Sequence, residues 1–240
     1  MAAINILWLV LACIGSYLFG SIPFSVWIGK LATGTDLREH HVKNPGGMNA
    51  VLTYGIKLGL PILLLDFFKG TASIAFLDHM FALDYFIAVD GSNIWHSLAT
   101  ILGPVCCIAG HNYPVWLKFD GGQGLGVYMG VIWYLNPIVF VFYSVAMILV
   151  MVVIKMNLRI GTMFVLFGCI ILIMFVQINP PWTMMPYNRF PGIPDFLQLK
   201  QGVILTAMFL MIFLRAAQAI FKKKQTATWK ISKTGEQEFE

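Results

Sequence analysis

Charge is what this 240-residue chain has least of: 11% of its residues are charged, against 58% that are hydrophobic. A soluble domain carries roughly a quarter charged residues. A chain this poor in charge cannot cover a water-facing surface, and must use lipid as part of its solvent. Cysteine is scarce too. Cys13, Cys106, Cys107 and Cys169 lie in apolar runs with neither zinc nor redox spacing, which points to small buried apolar residues. His40 and His41 are adjacent, but no Cys or third His stands near them at ligand spacing, so no metal or other cofactor is expected. No charged segment precedes the first apolar run, so that run reads as a span and not as a cleaved leader. Internal repeats and low-complexity segments are absent.

What is present is a series of apolar runs. A spanning helix needs about 20 mostly apolar residues. Candidates lie at 4–30, 52–77, 92–110, 125–135, 137–154, 160–178 and 200–221. Only Asn136-Pro137 separates the fourth from the fifth, so 125–154 reads either as two spans joined by a tight turn or as one broken span. The expected fold is an all-α, polytopic membrane helix bundle of about seven transmembrane helices over residues 1–221, with a basic tail at 222–240.

Orientation follows from Lys and Arg in the loops. With the N-terminus outside, the inner segments hold Arg38, Lys43, Lys118, Lys155, Arg159 and the tail residues Lys222, Lys223, Lys224, Lys230 and Lys233. The outer segments hold Asp78, Asp84, Asp90 and Asp195, with Arg189 as the clear base. That asymmetry puts the C-terminus in the cytoplasm and favours an odd number of crossings. The last outer loop, with Pro180, Pro181, Pro186, Pro191 and Pro194, cannot be helical. The tail lysines suit anionic lipid headgroups rather than nucleic acid. His79 and His96 read as interfacial residues with no evident partner.

Three stretches do not read as plain membrane helix. In GHNYPVWLKFDGGQGLG, Gly121, Gly122, Gly124 and Gly126 precede or open an apolar helix. Clustered glycines let backbone N–H groups turn toward a phosphate, or equally allow a tight turn and close packing. The residue between the glycine pairs is Gln123, which cannot neutralise an anion. In LDFFKG, Asp66 and Lys69 stand three apart on one helix face. Ionisable groups in a span face the bundle interior, as part of a polar site or as a self-neutralising pair. The third stretch, Gly20 to Asn49, combines Gly20-Ser21-Ile22-Pro23 with a loop containing His40, His41, Lys43, Asn44 and Asn49. Asn44-Pro45-Gly46-Gly47 within it is turn chemistry.

Taken in order, these stretches resemble the PlsY family, the bacterial acyl-phosphate-dependent glycerol-3-phosphate acyltransferases. Gly20-Ser21-Ile22-Pro23 is similar to that family's GSIP, and Asp36-Leu37-Arg38-Glu39 to its DIRE. Asn44-Pro45-Gly46 and Asn49 match parts of its GSGNPGATN loop; Asp66 with Lys69-Gly70 matches its D-x-x-KG. Gly110-His111, Pro114, Phe119 and Gly121-Gly122 match its GH-x-x-P…F-x-GG-K-G. The resemblance implies a seven-span bundle in the plasma (inner) membrane of a bacterium, with the motifs on the cytoplasmic side. It also implies acyl transfer from acyl phosphate to glycerol 3-phosphate, giving lysophosphatidate. Under that reading Arg38, Lys43, Asn44, Asn49, Lys69, His111, Gly121, Gly122 and Gly124 bind the phosphorylated substrates.

The chain departs from the family where chemistry is expected. The serine of GSGN is Val42, the threonine before the second asparagine is Met48, and the arginine three residues after it is Leu52. The loop lysine is Gln123, and the histidine and asparagine near the end of the last span are Ala216 and Ala219, after Arg215. Each charged contact to phosphate contributes roughly 1.5–3 kcal/mol. Losing several favours a catalytically impaired member serving as a non-catalytic subunit, or a lipid-binding partner, of a membrane protein complex. The alternative is an active glycerol-3-phosphate acyltransferase with a rearranged site.

Overall fold

The computed structural model describes residues 2–41, 43–81, 94–155, 158–175 and 196–234, and among these it is all-α. Helix α1 spans Ala2–Ser21, α2 Phe24–Thr33, α3 Gly47–Tyr54, α4 Ile56–Phe81 and α5 Ile94–Asn112. Then come α6 Leu125–Leu135, α7 Pro137–Ile148 with a π turn to Val153, α8 Leu158–Phe175 and α9 Phe196–Thr234. Short 3₁₀ turns stand at Leu37–Glu39 and Val115–Leu117. Among the described residues, four stretches are long and apolar enough to cross a membrane: Ile4–Thr33, Ile56–Phe81, Ile94–Leu117 and Leu199–Phe221. Leu125–Leu135, Pro137–Ile148 and Ile160–Phe175 are shorter apolar helices. Val42, Asp84, Asp90, Arg189, Asp195 and the prolines at 180–194 lie outside the described residues.

Two expected runs are interrupted. The run at 4–30 breaks at Ile22-Pro23, because proline has no N–H to continue α1 and pushes the residue before it out of helical conformation. The run at 52–77 begins instead at Ile56; Leu52–Tyr54 belong to α3, which stops at Gly55 with φ at 76°. Between α6 and α7 the chain does turn. Asn136 Oδ1 accepts from the Ile138 and Val139 amides at 3.0 and 3.4 Å, and Pro137 takes the first helical position, where no N–H is needed. The rings of Trp133 and Phe140 lie 5.3 Å apart, whereas seven residues of continuous helix would separate them by about 10 Å. The two helices therefore lie side by side.

Contact register gives the helix directions. Ser16 meets Gly103 and Gly20 meets Cys107, so α1 and α5 run parallel. Cys107 lies on Lys69 and His96 on Asp78, so α4 is antiparallel to α5. Gly126 meets Asp66 and Gly130 meets Thr71, so α6 runs with α4. Asn112 bonds the Met211 carbonyl and Tyr113 bonds Gln218, so α9 runs with α5. All the motif stretches thus fall at one end of the bundle.

Glycine permits the closest of these contacts, as small residues do between membrane helices. A Cβ on Gly70 would collide with the Val127 carbonyl, and one on Gly130 with the Phe67 carbonyl. Backbone cannot swing aside as a side chain can. Gly70→Leu is therefore expected to destabilise the bundle by about 1–3 kcal/mol, read as a lower thermal unfolding midpoint in detergent.

Candidate functional site

The site is built around the break in α1. Beyond the break the Phe24 amide donates to Ile22 O at 3.1 Å, which leaves Gly20 O without its helical donor. Lys69, reaching across from α4, fills that gap. Its Nζ donates to Gly20 O at 3.4 Å, to Ile22 O, and to Asp66 Oδ1 at 3.3 Å, with the Phe24 ring 4.7 Å away. An ammonium has three donors, and here all three have acceptors. Lys69 is 1% exposed and Asp66 3%. The pair is thus both self-neutralising and part of a wider polar cluster.

His111, at the end of α5, lies buried with Nδ1 3.7 Å from Asp66 Oδ1. The glycine loop folds back over it. The Gly121 amide donates to Asn112 O at 3.2 Å and the Gly122 amide to His111 O at 3.1 Å. A Cβ on Gly122 would strike the His111 ring, and one on Gly124, which has φ 81°, would strike Ile108. In this state the Gly121 and Gly122 N–H groups serve the loop itself, and the glycines allow its close return. Gln123 is half-buried in the same loop.

In the 36–49 segment, Asp36 is the organising anion. It binds Arg38 through Nε and Nη2 and pairs with Lys30 at 3.0 Å. The Arg38 guanidinium holds the Asp36 carboxyl well below the usual carboxylate range, and Asp36 in turn raises Arg38. Asn49 is buried, and its Nδ2 donates to Leu37 O, His40 O and Asn44 O at 2.8, 3.3 and 2.9 Å. It fixes the loop's shape from within. His40, His41 and Lys43 are exposed, and Asn44 is half-buried. Met48 and Leu52 are exposed, Ala216 is buried and Ala219 half-buried.

A solvent-open cleft lies where the α1–α2 break, Pro45, α4 and the end of α5 meet, lined by Ser21, Pro23, Ser25, Pro45, Asp66, Lys69, His111 and Pro114. Residues more than 90 positions apart in the chain converge on it. The glycerol-3-phosphate acyltransferase family model matches residues 10–224. The chain belongs to that family.

Members of the family similar to this chain include the glycerol-3-phosphate acyltransferase of Acholeplasma laidlawii, 35% identical over 135 residues, which is 56% of either protein. Glycerol-3-phosphate acyltransferase 2 of Bacillus cereus is 38% identical over 130 residues, 54% of this chain and 59% of that relative. The chain thus matches little more than half the length of these curated relatives. The fold is similar to a crystal structure of PlsY (YgiH), an integral membrane glycerol 3-phosphate acyltransferase, in its glycerol 3-phosphate form. The TM-score is 0.61 at 22% identity, covering 91% of this chain and 92% of that one.

Two groups of residues have partners that no motif announces. Arg215, from α9, binds the glycine loop: Nη2 donates to Asp120 Oδ1 at 2.5 Å and to Gly121 O at 2.8 Å. The second group stands at the opposite end of the bundle. Asp78 does not lie in a loop; it is buried in α4. Its Oδ1 meets His96 Nε2 at 2.8 Å, so His96 is not an interfacial residue without a partner. Its Oδ2 accepts from Tyr134 at 2.7 Å, and the buried Lys200 is close enough to act on it electrostatically.

Proposed function

We propose that this chain is an acyltransferase of phospholipid synthesis, moving an acyl group from acyl phosphate to glycerol 3-phosphate to make lysophosphatidate. The acceptor hydroxyl oxygen bonds to the acyl carbon, the carbon–oxygen bond to phosphate breaks, and phosphate departs with the proton. The observation that carries this reading is the convergence of residues from the Gly20–Pro23, Asn44–Gly46, Asp66–Lys69 and Gly110–Pro114 motif stretches on one polar cleft at one end of the bundle, in a chain matched by the family model over residues 10–224. The phosphorylated headgroup would enter at this cleft, and the acyl chain would lie outside it against lipid.

The proposed setting is the bacterial plasma membrane, crossed seven times, with the N-terminus outside and the cleft facing the cytoplasm. Seven apolar helical stretches, alternating helix directions and the cationic inner loops support it.

Leu52, Gln123, Ala216 and Ala219 favour a second reading, because none of them can neutralise a phosphate. Under it the chain is a non-catalytic subunit, or a lipid-binding partner, of a membrane protein complex. Purification at native abundance in mild detergent separates the two. Release of inorganic phosphate from acyl phosphate that depends on glycerol 3-phosphate supports the enzyme. A fixed complex without that activity supports the subunit.

A further inference from the structure

A phosphate ester entering this cleft needs a cation near the glycine loop; the residue between the glycine pairs is Gln123, and the stretch's own cation, Lys118, is exposed. Lys69 has committed its donors to Gly20, Ile22 and Asp66. Arg38 holds Asp36 with Nε and Nη2. Its Nη1 is unbonded among the described residues, but Arg38 sits in the 36–49 segment; Arg215 is bound to the glycine loop itself. A guanidinium carries five N–H donors, yet both hydrogen bonds from Arg215 to the loop come from Nη2. Nε and Nη1, with the other three donors, make no hydrogen bond among the described residues.

The guanidinium is also oriented in advance. It lies over the Tyr113 ring at 5.5 Å, and its side chain is 15% exposed against 58% for Asp120. The carboxylate therefore sits on the water side of the pair. Arg215 holds the Gly121 carbonyl, and the next residue's amide donates to His111 O at 3.1 Å, so Arg215 stands against the loop that covers His111. An anion that replaced the Asp120 carboxylate would sit beside Arg215 and against that loop.

We propose that Arg215, bound to the glycine loop that covers the His111 side of this cleft, is the cation that binds the substrate's phosphate, and that Asp120 is its resting counterion, displaced when a phosphate monoester enters. This rests on reading the cleft as a site for a phosphorylated substrate. A dianionic phosphate offers several oxygens to the planar fork, whereas Asp120 holds a single nitrogen of it. Arginine in place of the loop lysine also brings the cation from another helix, so the loop and α9 close on the ligand together.

The competing account is that Arg215–Asp120 is only a strut pinning the loop to α9. Calorimetric titration of the full purified chain with glycerol 3-phosphate and with inorganic phosphate, at low ionic strength, separates them. The wild type is expected to bind both ligands. Asp120→Asn should tighten binding about tenfold by removing the competing charge, and Arg215→Lys should weaken it about tenfold by removing the fork. Arg215→Gln should abolish binding, and adding Gln123→Lys to it should restore part. Thermal unfolding of each variant confirms that it is folded, and Arg215→Lys carries the test if Arg215→Gln is not. Binding unchanged in Arg215→Lys, weakened in Asp120→Asn, or absent from the wild type for both ligands would overturn the proposal. Arg215-dependent binding without acyl transfer keeps it and sinks the acyltransferase reading. Acyl transfer indifferent to both Arg215→Lys and Asp120→Asn does the reverse.

Discussion

Replacing Lys69 with methionine should destabilise the folded bundle by about 3–5 kcal/mol, the usual cost of removing one partner of a buried ion pair. The loss has three parts. Asp66, 3% exposed, keeps a charge with no neutralising neighbour at hydrogen-bond distance. Gly20 O and Ile22 O lose the donor that replaces the helical bonds broken by Pro23. The corner between α1 and α2, which forms one wall of the cleft, loses its tie to α4. A lysine held in reserve for substrate would behave differently. Its removal would leave the unfolding midpoint nearly unchanged and act on substrate affinity alone. The double variant Lys69→Met with Asp66→Leu should recover part of the loss, since it removes the stranded charge; the orphaned carbonyls remain. Thermal unfolding of the three proteins in one detergent makes the comparison.

Asp78→Ala should be as damaging, at about 3–5 kcal/mol. Asp78 joins α4 to α5 through His96 and to α6 through Tyr134, and its charge acts on Lys200 of α9. Without the carboxylate a buried ammonium, an imidazole and a phenol must be re-accommodated among four helix ends. Asp78→Asn keeps an oxygen acceptor for one of the two hydrogen bonds, and should cost less, about 1–3 kcal/mol. If both variants unfold at the wild-type midpoint, the cluster does not hold the helices together.

These two clusters mark what the sequence made legible and what it hid. The interruption at Asn136-Pro137 is readable because its causes are local, a capping side chain and a proline within two residues, but the sequence leaves open whether it is a turn or a break in one span. The motif cleft was readable because Gly20-Ser21-Ile22-Pro23, Asp66 with Lys69, and Gly110-His111 are short ordered signatures. The break at Ile22-Pro23 was lost inside an apolar run, since run length takes no account of a single proline. Asp78 reads as a loop residue because it follows the apolar run ending at 77 and heads a stretch that also holds Asp84 and Asp90. Its partners His96, Tyr134 and Lys200 stand on three other helices, and nothing local announces them. The glycine loop is the instructive case. Its residue types suit a phosphate cradle, but the Gly121 and Gly122 amides turn back onto the end of α5, a contact set by tertiary return. Arg215 was visible as a basic residue on the last span; its reach to Asp120 was not.

The acyltransferase reading itself is tested most directly by one assay. The full chain, reconstituted in lipid vesicles, is given acyl phosphate and glycerol 3-phosphate, and the lipid extract is analysed by mass spectrometry. The account predicts lysophosphatidate carrying the supplied acyl chain, formed in proportion to protein. An extract without lysophosphatidate, from protein shown to be folded by its unfolding transition, would contradict it.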